Sequence, residues 1–205
     1  MNSLNTILGK MIRMPVFSMT LILGSSAVFL GCSVTPEKVS LRDKLEQLEK
    51  DFQEEYFSRV ERHAQELLNA TSKGSLQRKR VLELYALASE KNEKFDQAAK
   101  IFEQLGEEYP LSDGLRNWLF KSAENFLKSR TRKDGELKPL ELAMSKLNQI
   151  VETYGNLSME EENLNRQIKA EIEEHYERIA RFYEKVGKKE SAEVYRQKIN
   201  KLKNL

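Results

Sequence analysis

The stretch RVLELYALASEKNEKFDQAAKIFEQLGEEYP, residues 80–110, constrains the fold most. Leu82, Tyr85, Ala86 and Ser89 fall at i, i+3, i+4 and i+7, one face of a helix. After a polar turn at 91–94, Phe95, Ala98, Phe102 and Leu105 form a second face, closed by Tyr109-Pro110. Two helical stripes joined by so short a turn pack antiparallel. Small residues at Ala86 and Ala98 let them approach closely, and the aromatics fill the space toward neighbouring hairpins.

The pattern recurs. Tyr176, Ile179, Ala180 and Tyr183 repeat the first stripe, and Ala192, Tyr195 and Ile199 the second, with Gly187-Lys188-Lys189 between them. Ala180 to Ala192 is twelve residues, as is Ala86 to Ala98. A stretched copy lies between: Leu119, Ala123 and Phe126, then Ala143, Leu147, Ile150 and Tyr154, with eight extra residues in the loop. Pro139 starts its second helix and Gly155 ends it. Ser158 and Glu161 form a capping-box pattern opening a long helix through Leu164, Ile168, Ile172 and Tyr176. The first segment is least regular: stripes Leu41, Leu45, Leu48, Phe52 and Val60, Ala64, Leu67, Leu68 fit a degenerate hairpin or one bent helix. The expected fold is all-α, three to four stacked helical hairpins, with units at 41–71, 79–112, 114–155 and 166–205; a generic helical bundle is the other architecture the pattern allows.

Composition agrees. Charged residues are 32% and apolar residues 40% of the 205, with nine Gly and four Pro, a balance that propagates helices. Net charge is +2, and Lys10 and Arg13 in the acid-free first 31 residues account for it, leaving 32 of each sign. Such a mixed surface lacks the sustained basic field a nucleic-acid binder needs. The densest basic cluster, KSRTRKDGELK at 128–138, contains Asp134 and Glu136 and reads as a solvated loop.

The N-terminus has a different character. Lys10 and Arg13 precede sixteen uncharged residues, 15–30, fewer than the ~20 a membrane-crossing helix needs. A basic start, a short apolar run and small residues at its end describe an export signal. Met11 and Met14 are alternative starts within it. The single cysteine, Cys32, follows; alone it excludes an internal disulfide, and no base partner lies nearby. A structural thiol after a signal-anchor segment is the other reading of these residues.

Three resemblances sharpen this. Phe29-Leu30-Gly31-Cys32 resembles the lipobox of bacterial lipoproteins, with Phe29 a departure at its first position. The resemblance implies cleavage between Gly31 and Cys32, diacylglyceryl on the Cys32 sulfur, usually acylation of the new amino group, and a tether over 32–40. Several acyl chains make a lasting anchor. Ser33, where inner-membrane retention uses Asp, implies the periplasmic face of the outer membrane. Residues 80–110 resemble a tetratricopeptide repeat (TPR), a helix–turn–helix unit of about 34 residues. Ala86, Ala98, Phe102 and Pro110 sit at its signature offsets, and Arg196 replaces the aromatic in the terminal copy. That family's geometry implies a right-handed solenoid whose first helices line a groove. Its groove positions fall on Arg80, Glu83, Leu87, Glu90 and Lys91, then Asn117, Phe120, Glu124, Leu127 and Lys128, then Glu174, Glu177, Arg181 and Glu184. Phe120 and Leu127 are the sharpest partner-gripping candidates, unless the repeat phase slips by one and makes them core.

Lipobox, tether, repeats and AAKIFEQLGEEYP together look like the BamD (YfiO) family, outer-membrane lipoproteins of the β-barrel assembly machinery. This implies a periplasmic scaffold that binds barrel-assembly subunits or unfolded outer-membrane proteins. Family members commonly have about five repeats; this chain has room for four, and its long loop in the third unit is a further departure. A secretin pilotin, or an adaptor for envelope proteases or peptidoglycan enzymes, shares the same features.

The residues suggest no enzyme and no cofactor beyond the covalent lipid. His63 and His175 are far apart; Glu171, four before His175, reads as a surface ion pair rather than a metal pair. Phosphate-binding glycine loops, nucleophile elbows and H-E-x-x-H are missing from the sequence. The acidic residues at 160–162 suit a helix start, and Trp118 reads as packing.

Overall fold

The computed structural model describes residues 40–130 and 137–203. The expected leader, the Gly31–Cys32 junction, nearly all of the tether and most of the charged loop lie outside the described residues. Among the described residues are eight α-helices and no strand: α1 (Leu41–Gln53), α2 (Phe57–Ala70), α3 (Leu76–Lys91), α4 (Phe95–Glu108), α5 (Leu115–Lys128), α6 (Lys138–Tyr154), α7 (Met159–Lys185) and α8 (Lys189–Lys203).

Local chemistry sets most boundaries. At α1 the Ser40 hydroxyl accepts the Asp43 N–H at 3.1 Å, and the Asp43 carboxylate accepts the Ser40 N–H at 3.2 Å. Ser158 and Glu161 make the same reciprocal cap at α7, and Ser75 caps α3 through the Arg78 N–H. Pro139 lies in the first turn of α6, where its missing N–H leaves nothing unpaired, and Gly155 ends that helix at φ 83°. As the Ser158/Glu161 pattern predicts, α7 opens at Met159, and it runs unbroken for 27 residues, about 40 Å, through position 166.

Three of the hairpins turn in one way. After α1, Glu55 takes a left-handed backbone at φ 60°; its N–H reaches Phe52 O, and the Tyr56 N–H reaches Asp51 O at 2.9 Å. After α3, Glu93 at φ 59° bonds Glu90 O, and Lys94 bonds Ser89 O at 2.9 Å. After α7, Gly187 at φ 78° bonds Glu184 O, and Lys188 bonds Tyr183 O at 2.9 Å. Each pairs the last turn's orphan carbonyls with the two N–H groups that follow, a Schellman ending, and the next helix begins within two residues. The segment 41–71 is therefore a hairpin and not one bent helix.

Every helix packs on the next in sequence; α1 also touches α3, and α5 touches α7. Two apolar clusters result. The first joins Leu48, Val60, Leu67, Leu82, Tyr85, Phe102 and Leu105 with Trp118; the second joins Ala99, Ala123, Phe126, Leu140, Leu147, Ile150, Ile168 and Ile172. Helix α4 feeds both. On its second side the small Ala99 admits α5 closely enough for the Ser122 hydroxyl to donate to Ala99 O at 2.9 Å. Across α2, α3 and α4, the Tyr85 hydroxyl accepts from Gln65 at 2.6 Å and from Gln97 at 2.7 Å, so its polar end is satisfied where its ring is buried.

Candidate functional site: the faces of α3, α5 and α7

On α5, Lys121, Glu124 and Lys128 stand at i, i+3 and i+7, one stripe of the helix. That stripe meets the last turn of α3. Lys121 Nζ lies 3.5 Å from Glu90 Oε1 and 3.0 Å from Glu124 Oε2, and Lys128 Nζ lies 3.4 Å from Glu90 Oε1. Burial pulls the Lys121 pKa down, but the hydrogen bond to Glu124 and the charges of Glu90 and Glu124 outweigh it and raise the pKa overall. Four charges thus form a fixed, alternating network across two helices.

Beside it, α5 and α7 border a cleft of ≈ 280 Å³, lined by Glu124, Leu127, Lys128 and Arg130 on one side and Leu164, Gln167 and Glu171 on the other. Arg130 pairs with Glu171 across the floor. The cleft has an apolar pair, Leu127 and Leu164, flanked by both signs of charge. Such a surface suits an extended peptide or helix with one apolar anchor and mixed charges; its size suits a side chain.

The structure brings together Glu90, Glu124, Leu127 and Lys128. Leu87, Phe120 and Leu127 are half-buried and pack on the two core clusters, so each divides its surface between core and solvent. Arg80 and Glu83 sit apart, where Arg80 Nε reaches Glu49 Oε1 of α1 at 2.7 Å and Arg80 Nη1 lies 3.9 Å from Glu83 Oε2. Asn117 is exposed about one turn before the network on α5, and Lys91 is exposed at the residue after Glu90. Glu177 and Arg181 pair with each other at 2.5 Å and, with Glu184, line a different hollow against Arg196 of α8; Glu174 pairs with Arg178. The face of α7 that meets Leu127 therefore lies about two to three turns earlier than the repeat offsets predict.

Two side-chain expectations need correction. His175 is buried rather than on the surface, and Glu171 is engaged by Arg130, so the two form no surface ion pair. Burial first, then the charges of Arg178 and Arg130, lower the His175 pKa. Trp118 is packing, as expected: it is buried with its ring edge-on to Tyr109 at 6.4 Å.

Sequence reading missed a polar cluster in the first hairpin. Asp51 is fully buried, accepts from Gln47 at 2.8 Å, and lies 3.3 Å from Arg59 and 3.2 Å from His63 Nδ1. His63 lines a second hollow of ≈ 360 Å³ with Asp43, Lys44, Gln47 and Glu66. The one signal available was the Gln47/Asp51 spacing of four.

No protein-family model matches the chain, and no curated protein sequence matches it either. Among the described residues, no helix is long and apolar enough to cross a membrane.

Proposed function

We propose that this chain is a lipid-anchored periplasmic scaffold of the outer-membrane β-barrel assembly machinery, built as a right-handed solenoid of TPR-like hairpins. Barrel-assembly subunits or unfolded outer-membrane proteins dock on its first helices. The observation that carries the reading is the recurrence of one turn at Glu55, Glu93 and Gly187, together with the contacts of α1 with α3 and of α5 with α7. Hairpins closed in one way, with first helices touching, are what a stacked array requires. The charge network at Glu90 and the Leu127–Leu164 cleft lie on those first helices and support docking there.

The machinery is inferred from the resemblance of the lipobox, tether and AAKIFEQLGEEYP to the BamD family. In this reading Cys32 carries the diacylglyceryl and N-acyl lipid, and the site performs no bond chemistry. The test is affinity purification of the tagged chain from solubilised envelopes, with Cys32→Ala as control. Co-purified barrel-assembly subunits support the reading. Secretin or peptidoglycan-hydrolase partners assign the scaffold to another envelope system. A Cys32→Ala chain that still fractionates with the outer membrane as wild type does removes the anchor.

A further inference from the structure

The start of α1 lies beside the end of α2: Asp43 and Lys44 share a hollow with Leu67 and Ala70. The start of α3 is at this same end, where Arg78 donates to Leu68 O at 2.8 Å. So is the loop after α4, since the Tyr109 hydroxyl donates to Ser75 O at 2.8 Å and Lys79 Nζ reaches Ser112 Oγ at 2.9 Å. Two large apolar side chains are left out in solvent there, Leu76 at 78% and Leu111 at 98% exposure. Ser40, the first described residue, caps α1 at this same end.

Leu76 begins its helix and Leu111 occupies a loop, and both belong to neither core cluster. We infer that this end of the helical array lies against a phospholipid surface, with Leu76 and Leu111 inserted among the acyl chains. The inference rests on the lipid-anchor reading of Cys32 and adds an orientation to it. Cys32 is eight residues before Ser40, so the intervening chain spans at most roughly 28 Å. An anchor that close brings the end carrying Ser40 to the membrane, and leucines at that end meet lipid before water-facing partners do. Lys44, Lys73 and Lys79 are there, but so are Asp43, Glu107 and Asp113. Apolar insertion, rather than attraction to anionic headgroups, holds the contact, and a zwitterionic surface suffices.

The experiment uses the mature, acylated protein in phosphatidylethanolamine/phosphatidylcholine vesicles. Acylation consumes the Cys32 thiol, so Leu76→Cys, Leu111→Cys and Phe182→Cys each offer one site for an environment-sensitive fluorophore. Phe182 is exposed and lies 23 residues along α7, about 35 Å, from Met159, and the first turn of α7 meets the first turn of α5 through Glu161 and Arg116. The expected result is blue-shifted emission, quenched by doxyl-labelled lipid, at 76 and 111 and neither effect at 182. Vesicle-bound protein with all three probes equally in water overturns the inference and leaves the anchor standing. So does a blue shift at 76 or 111 that appears without lipid and rises with protein concentration, which assigns the leucines to a second copy. A Cys32 without lipid mass, on protein that stays off the vesicles, overturns the anchor reading and this inference with it.

Discussion

Glu55 and Glu93 occupy one left-handed backbone conformation, at φ 60° and 59°, at corresponding points of the first two hairpins. Gly187 takes that place in the last hairpin at φ 78°. Left-handed geometry costs a side-chain-bearing residue roughly 1–2 kcal/mol, partly offset by the greater unfolded-state freedom of glycine. Glu93→Gly is therefore expected to stabilise the fold by about 0.5–1 kcal/mol, and Gly187→Ala to destabilise it by about 1 kcal/mol. Urea unfolding of the two variants checks the opposite signs.

Arg78 and Glu108 tie the start of α3 to the end of α4 through two nitrogen–oxygen contacts, at 2.7 and 3.1 Å, both side chains being nearly buried. The hydrogen bond from Arg78 holds the Glu108 carboxyl below its ordinary pKa against the opposing effect of burial, with Gln104 adding a second bond. Arg78→Met leaves the carboxylate buried without its cation and is expected to destabilise by roughly 3 kcal/mol. Because the folded pKa is the lower one, the stabilisation is complete above the ordinary carboxylate pKa, about 4.3, and is lost as pH falls through the folded value. Glu108→Gln is accordingly expected to flatten stability against pH below about 4, measured by denaturant titration at several pH values.

Gly114 has ordinary helical dihedrals, so the backbone would accept any residue there. What forbids one is Trp118: an added Cβ would lie 2.7 and 2.9 Å from two atoms of the indole, which is itself held in the core. Gly114→Ala is expected to destabilise by roughly 1–3 kcal/mol through overpacking. Trp118, the sole tryptophan, reports the displacement directly as a shift in fluorescence.

His175 is buried neutral, with Arg130 and Arg178 disfavouring its charged form and Glu141 opposing them weakly. Its folded pKa is below the unfolded one, near 6.5, so stability is full above that pH and falls as the unfolded state takes up a proton below it. Between pH 7.5 and 5.5, wild type is expected to lose more thermal stability than His175→Gln does. Equal slopes for the two proteins would remove the histidine from the acid response.

How legible this was depended on the length scale of the signal. Helical periodicity marked the buried residues of α3 to α6, because Leu82, Ala98, Phe102, Ala123 and Leu147 are spaced by the geometry that buries them. Ser158, Glu161, Pro139 and Gly155 marked ends because each supplies or removes one backbone bond. Glu55 and Glu93 gave no warning of left-handed turns, since glutamate has no preference for that backbone; only the tertiary hairpin holds it there. Nothing in the sequence marks Asp51 and Arg78 for burial, because it is decided by tertiary packing: Asp51 is covered by the neighbouring α2, and Arg78 is paired with Glu108 thirty residues on. At the candidate site, Glu90, Glu124, Leu127 and Lys128 were named from the positions that the TPR resemblance implies, and the structure places them near one another. The residues of α7 beside Leu127 are Leu164, Gln167 and Glu171 rather than Glu174 to Glu184, because α7 begins at Met159 and its early turns are the ones that border the cleft.

Docking of partners where α5 meets α7 is the core of the proposed function. Its most direct measurement is photo-crosslinking in living cells from a photoreactive residue at Leu127, compared with one at the exposed Val194 on α8. Docking there predicts adducts with barrel-assembly subunits or unfolded outer-membrane proteins from position 127 and far fewer from 194. Adducts of equal yield and identity from both positions, or none from 127 with the chain correctly anchored, would contradict it.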